Sequence, residues 1–175
     1  MKRTIRYVSL EELDEVMEVV SRAVQWMNGH GSIQWNQNYP AEADFRLDID
    51  NRALLGIYEG QVLYGVCAID QKAYPEYDVV QWKNVQTPVF YLHRVAVDPK
   101  KHGQGLASEL IRYAVLYAKR KGAHALRTDT TEKNIPMRRT FEKLGFICME
   151  PMFLLTHNLA MGACVAYEKT WIEKE

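Results

Sequence analysis

The chain has 175 residues, 47% of them hydrophobic, which suffices for one ordinary globular domain, residues 1–175, with a sizeable core. Lysine plus arginine balance aspartate plus glutamate at 22 each, so no net field draws the protein to nucleic acid or to an anionic membrane. No apolar run approaches the ~20 residues of a membrane helix, and the basic start, Met1 to Arg6, leads into no apolar signal core. Cys67, Cys148 and Cys164 are an odd count without zinc-like spacing, each in an apolar strand-like run. Buried thiols in a reducing, cytoplasmic setting are expected.

Thr4 to Val8 alternates and β-branches like a strand. Ser9 and Glu12 form a capping box, with Val8 and Leu13 as its hydrophobic staple. Leu10, Leu13, Val16, Met17, Val20, Val24 and Met27 mark one face of a helix that stops at Asn28-Gly29. Residues 28–40 read as a loop in which Trp35 and Tyr39 either line a substrate pocket or plug the core. Ala41, Phe45 and Ile49 suggest a short second helix. Leu54–Tyr58 and Val62–Ile69 flank Glu59-Gly60 as a hairpin. Residues 70–88, carrying Trp82, lack periodicity and are too long for a simple turn, so they are a functional flap or an insertion.

A strand from Val89 to Val97 then runs through Asp98-Pro99-Lys100-Lys101 into His102-Gly103-Gln104-Gly105 and a strongly periodic helix. That helix shows Leu106, Ala107, Leu110, Ile111, Ala114, Tyr117 and Ala118 on one face and ends at Gly122. A strand that enters a helix over two glycines presents unpaired N–H groups at a positive dipole end. Such a turn is a phosphate seat. His124–Thr130 reads as the next strand, broken by Glu132 to Pro136. Met137–Leu144 reads as a helix closed by Gly145, and Phe146–Leu155 and Cys164–Trp171 as two last strands.

The segment His102-Gly103-Gln104-Gly105-Leu106-Ala107 resembles motif A of the GNAT N-acetyltransferase superfamily, Arg/Gln-x-x-Gly-x-Gly/Ala, with His102 departing at the first position. Asn134 followed at seven residues by Phe141-Glu142-Lys143-Leu144-Gly145-Phe146 resembles motif B. The element order also matches along nearly the whole chain. The resemblance implies an α+β fold, α/β/α layered, with about four helices and a mixed, mostly antiparallel sheet. In it the fourth and fifth strands splay apart to admit the pantetheine arm of acetyl-CoA. Val95, Ala96 and Val97 would line that arm, as an added strand would pair with them. The loop His102, Gly103, Gln104, Gly105, Leu106, Ala107 and Ser108 would hold the pyrophosphate. Asn134 would hold the pantetheine end, and Phe141 would lie near the sulfur or simply pack on its helix. The last hairpin of this family often builds dimers, so a homodimer is an open expectation.

Acetyl transfer to an amine needs a neutral amine, donors for the tetrahedral oxyanion, and a proton for the departing thiolate. The family commonly takes that proton from a motif-B tyrosine, whose place is Phe141 here. Leu92-His93-Arg94-Val95-Ala96-Val97 resembles the corresponding strand of arylalkylamine N-acetyltransferases, whose histidine serves deprotonation of the amine. His93 is accordingly the candidate catalytic base or else a structural histidine. Strand alternation places Tyr91, His93, Val95 and Val97 on one face, with Tyr91 toward substrate and Arg94 on the other face in packing or an ion pair. Asp129 either meets an ammonium group or caps the turn after it. His30, His102, His124 and His157 form no ligand spacing, so no metal is expected.

Two rival functions remain. A dinucleotide-binding fold is disfavoured by Ser108 at the third glycine position and by the residues between strand and first glycine. A GNAT-fold acyl-CoA sensor is motivated by Phe141. The expected activity is acetyl transfer from acetyl-CoA to a small-molecule amine.

Overall fold

Seven strands and four α-helices occupy residues 2–171, the part of the chain described by the computed structural model. In chain order they are β1 (Arg3–Tyr7), α1 (Leu13–Gly29), α2 (Glu42–Asp50), β2 (Leu54–Glu59), β3 (Val62–Asp70), β4 (Val89–Val97), α3 (Leu106–Arg120), β5 (Ala125–Thr131), α4 (Ile135–Lys143), β6 (Ile147–Phe153) and β7 (Cys164–Thr170). The strands follow the sheet order β1-β2-β3-β4-β5-β7-β6, with β4 and β5 parallel. Two compact units share these elements. One comprises the chain up to Ile69 together with His93–Tyr113, the other Asp70–Leu92 together with the chain from Ala114 onward.

The first unit starts from local signals. The Ser9 N–H donates to Glu12 Oε2 at 2.9 Å, the firm half of the expected capping box, and it closes a short 3₁₀ turn before α1. Val8 and Leu13 are both buried, as a staple requires, whereas Leu10 stays exposed because it belongs to that turn rather than to the helix. Val16, Val19, Val20 and Ala23 bury the inner face of α1 against Phe45 and Ile49 of α2 and Leu54, Tyr58 and Val66 of the β2–β3 hairpin. Trp35 joins this core at 6% exposure and Tyr39 packs on it. Of the two roles open to this pair, the core role is the one that burial supports.

Alternation fails in the second half of β4. Arg94 has φ +51°, in the left-handed region that costs an L-residue roughly 1–2 kcal/mol. It is held there by Asp48 of α2, whose carboxylate accepts from Arg94 Nε at 2.7 Å and Nη2 at 2.6 Å. The kink means that residues beyond Arg94 do not inherit the face of Tyr91 and His93. Arg94 is thus an ion-pair residue, as one of its expected roles had it.

In the second unit the first four residues of β4 pair in parallel with β5, from Val89↔Ala125 to Leu92↔Thr128. β5 pairs along its whole length with β7, from Ala125↔Thr170 to Thr131↔Cys164, and β7 pairs with β6. The 70–88 segment is anchored in this unit's core through Tyr77 and Val80, while most of its other residues are exposed or half-buried. Tyr77, on a 3₁₀ turn at Pro75–Val79, is buried among Val80, Met149, Phe153, Leu155 and Met161. Its far end is clamped: Glu168 Oε2 accepts from the N–H groups of Lys83 and Asn84 at 3.0 and 3.1 Å, and Glu168 Oε1 pairs with Arg127 Nε at 3.0 Å. Arg127 in turn donates to Asn84 O at 2.6 Å and lies 4.3 Å from the Trp82 ring centroid. Pro136 sits in the first turn of α4, where its missing N–H costs nothing, instead of only breaking the strand before it.

Because both Asp48 and Arg94 are largely buried, removing one charge leaves the other uncompensated. Asp48→Asn is expected to lower stability by about 3 kcal/mol in urea-melt measurements. A change under about 0.5 kcal/mol would show that the ion pair does not hold the kink.

Candidate active site

The turn from β4 into α3 is a framework that leaves backbone donors unused. Asp98, 2% exposed, anchors it: its N–H donates to Tyr64 O, and its carboxylate accepts from Lys100 N–H at 3.0 Å and Arg22 Nε at 2.9 Å. Gly103 and Gly105 follow at φ +76° and +81°. Nothing stands within 4 Å of a Cβ built on either, so the backbone conformation, not crowding, calls for glycine. Among the described residues no carbonyl accepts from the N–H groups of Gly105, Leu106, Ala107 or Ser108. Gln104, expected to offer its N–H as well, already donates to Lys101 O at 3.3 Å. The available donors are therefore the start of α3 itself, where the dipole is positive.

A chain of ion pairs holds this loop from the side. Arg3 Nη1 donates to Gln104 O at 3.1 Å and pairs with Glu109 at 3.1 Å, while Arg3 Nε pairs with Glu59 at 3.1 Å. The other oxygen of Glu59 takes Lys101 Nζ at 2.5 Å. Lys101 first, and Arg3 second, hold the Glu59 carboxyl below its ordinary range. His102 is exposed and meets the edge of Trp26, which stacks on His30. None of Arg3, Glu59 and Glu109 carried a signal in the sequence, since their partners lie 42 to 106 residues away.

His93 is 7% exposed, at the first β4 residue past the parallel ladder with β5. Beyond the Arg94 kink, Ala96 enters the core while Val95 and Val97 remain partly exposed.

In the second unit, Asp129 is the first β5 residue past the last ladder pair with β4. It keeps part of its surface open. Tyr77 Oη donates to Asp129 Oδ1 at 2.5 Å. Burial pushes the Asp129 carboxyl up to about 6, while the bonds from Tyr77 and the Cys164 thiol pull it down and nearby Glu76 pushes it up. Burial and the facing carboxylate lift the Tyr77 hydroxyl well above its ordinary value and the Cys164 thiol to about 12, so both are donors only. Tyr91 is buried, its ring 5.6 Å from that of Tyr77, and its hydroxyl accepts from Arg127 Nη1 at 3.4 Å. Asn134 caps α4, its side-chain oxygen accepting from Met137 N–H at 3.3 Å. Phe141 is buried between Phe146 and Tyr167, which fits its packing role. Among the described residues no three His, Cys, Asp or Glu side chains group as metal ligands would.

Comparison with known proteins bears on this arrangement. The family described as "Acetyltransferase (GNAT) family" matches residues 18–146, which include both the glycine loop and α4. A GNAT-family acetyltransferase from Streptococcus agalactiae superposes with a TM-score of 0.85 at 26% identity, over 98% of this chain and 96% of that one. Two solved structures below 25% identity share the fold. One is a GNAT-family acetyltransferase from Listeria monocytogenes, with a TM-score of 0.77 and 16% identity over 97% and 95% of the two chains. The other is the PaiA N-acetyltransferase from Thermoplasma acidophilum in complex with coenzyme A, with a TM-score of 0.72 and 17% identity over 98% and 100%. No curated protein sequence matches significantly.

An alanine at Gly105 would have space but would resist φ +81° by about 1–2 kcal/mol. Gly105→Ala is therefore expected to weaken coenzyme A binding by about five- to thirty-fold in calorimetry. Unchanged affinity would mean that the loop conformation does not carry the anion.

Proposed function

Because the chain belongs to the GNAT acetyltransferase family, we propose that it moves an acetyl group from acetyl-CoA to the primary amine of a small molecule. The observation that carries this reading is the unused row of N–H groups from Gly105 to Ser108 at the start of α3, fixed in place by Asp98, Arg3 and Glu59. Such a row suits a diphosphate, and coenzyme A has one. The coenzyme A complex of PaiA, which shares this fold, is in keeping with it. Val95 and Val97 would pair with the amides of the pantetheine arm in the manner of an added strand.

His93 is the proposed base. It takes a proton from the bound ammonium, the freed nitrogen lone pair attacks the thioester carbon, and an N–C bond forms. The nitrogen of the tetrahedral intermediate then gives up its second proton to solvent, the intermediate collapses, the C–S bond breaks, and coenzyme A leaves as a thiolate. A thiol is acidic enough to leave without a dedicated acid, so Phe141 in place of tyrosine is compatible with catalysis. His93 is suited to the task because a neutral imidazole carries a ring nitrogen that can accept a proton.

One feature supports the sensor as a second reading: Phe141 has no hydroxyl and lies buried, so it supplies the leaving group with nothing. An assay of free thiol separates the two. Acetyl-CoA incubated with a panel of amines is expected to release thiol only when an amine is present, whereas coenzyme A binding with no amine-dependent thiol would favour the sensor.

His93→Ala is expected to lower kcat by about 10² to 10⁴ while coenzyme A affinity stays within about twofold. Retention of the wild-type rate and pH profile would remove His93 from the base role.

A further inference from the structure

Two carboxylates stand beside the amides that the proposed function gives to a diphosphate. Glu109 is in the first turn of α3, and its N–H donates to Gly105 O at 3.0 Å, which sets it one turn above the free donors. A helical side chain leans toward the helix N-terminus, so the natural place of the Glu109 carboxylate is over the turn from Gly105 onward. The positive end of the dipole attracts it there, as it attracts any anion. Glu59, the last residue of β2, is the second carboxylate. Left loose, such groups would repel a diphosphate or take its donors.

Arg3 of β1 prevents that. Its Nη1 donates to Glu109 Oε2 and to Gln104 O, each at 3.1 Å, and its Nε pairs with Glu59 Oε1 at 3.1 Å. Across a planar trans peptide the carbonyl and the N–H point opposite ways. The guanidinium on Gln104 O therefore sits behind the Gly105 N–H, and it draws the Glu109 carboxylate to that same rear side. Lys101 takes the other oxygen of Glu59, so two cations balance two carboxylates there. All of these residues belong to the first unit. The glycines of the loop keep open space around them, with nothing within 4 Å of a Cβ built on Gly103 or Gly105.

We propose that Arg3 is a positioning residue for the diphosphate: it holds the Glu109 carboxylate behind the Gln104–Gly105 peptide and so keeps the amides of α3 free for the ligand. This inference rests on the coenzyme A reading above and deepens it. Arg3 acts through Glu109 rather than by touching the ligand. Removing the guanidinium releases a carboxylate one turn from the N–H groups of Gly105 to Ser108, which among the described residues have no carbonyl acceptor. The released acid then caps them as an acidic residue caps a helix start, and the coenzyme has to displace it.

Calorimetry of the full chain with coenzyme A tests the proposal. Arg3→Gln is expected to weaken binding by about tenfold and Glu109→Gln by less than about twofold. The double variant, Arg3→Gln with Glu109→Gln, is expected to return to within about threefold of wild type. A double variant that stays weaker than that overturns the proposal, since a merely structural part for Arg3 would leave the loss in place. Arg3→Gln with wild-type affinity overturns it too. Should Arg3→Gln not fold, Glu109→Asp carries the same test, because the shorter acid falls short of the guanidinium while Arg3 keeps Gln104 and Glu59. It is expected to bind coenzyme A at least about threefold more weakly than Glu109→Gln, and equal affinities overturn the proposal. Without ligand, the amide resonances of Gly105 to Ser108 are expected to move, and their exchange to slow, in Arg3→Gln but not in the double variant. If wild type takes up no coenzyme A, the coenzyme A reading fails. These resonances then decide the part of Arg3 by themselves, and an unmoved set in Arg3→Gln overturns it.

Discussion

The bidentate bond between Arg94 and Asp48 is the constraint from which the course of β4 follows. A residue with a Cβ does not hold φ +51° inside a strand unless something outside the strand holds it. Here a carboxylate from α2 grips both Nε and Nη2 of the guanidinium within 2.7 Å. The kink falls where β4 has just ended its ladder with β5 at Leu92↔Thr128, so the strand goes on to Val97 with its side chains re-aimed. His93 stands just before the kink and Val95 to Val97 just after it. The same short stretch thus carries the proposed base and the proposed edge for pantetheine, then delivers the chain to the glycine loop.

The glycine loop and the surroundings of Asp129 are fixed by different physics. At the glycine loop the work is electrostatic and local. Asp98 fixes the turn, Arg3 and Glu59 tie it to β1 and β2, and positive φ at Gly103 and Gly105 turns the next amides outward. At Asp129 the work is packing. An aromatic cluster immobilises Tyr77, and a buried arginine–glutamate pair clamps the far end of its segment. A buried ion pair is a poor source of net stability, but it is specific about where a segment ends up. That specificity is what a segment without regular structure requires.

Much of this was legible in the amino-acid order because its causes are local. The capping pair of Ser9 and Glu12, the apolar face of α1, the Glu59-Gly60 turn and the glycine loop each depend on residues within a few positions of one another. The strand from Val89 to Val97 was legible in its bounds yet not in its shape, since the alternation that puts Val95 and Val97 on the face of His93 breaks at Arg94. Its cause is Asp48, 46 residues earlier. The 70–88 segment was opaque for the same reason, as the groups that fix it, Glu168 and Asp129, lie 85 and 52 residues from their partners. Trp35 illustrates a different limit. A large aromatic in a loop suits a pocket or a core equally well until its neighbours are known, and here they are Val, Leu and Phe side chains of the first unit's core.

On the proposed function, amides at the start of α3 grip the diphosphate of coenzyme A. The most direct measurement of that grip is the change in backbone amide resonances when coenzyme A is added to the labelled protein. Gly105, Leu106, Ala107 and Ser108 are expected to shift furthest, and their hydrogen exchange to slow in the complex. Saturable binding that leaves these four amides in place and their exchange unchanged would contradict it.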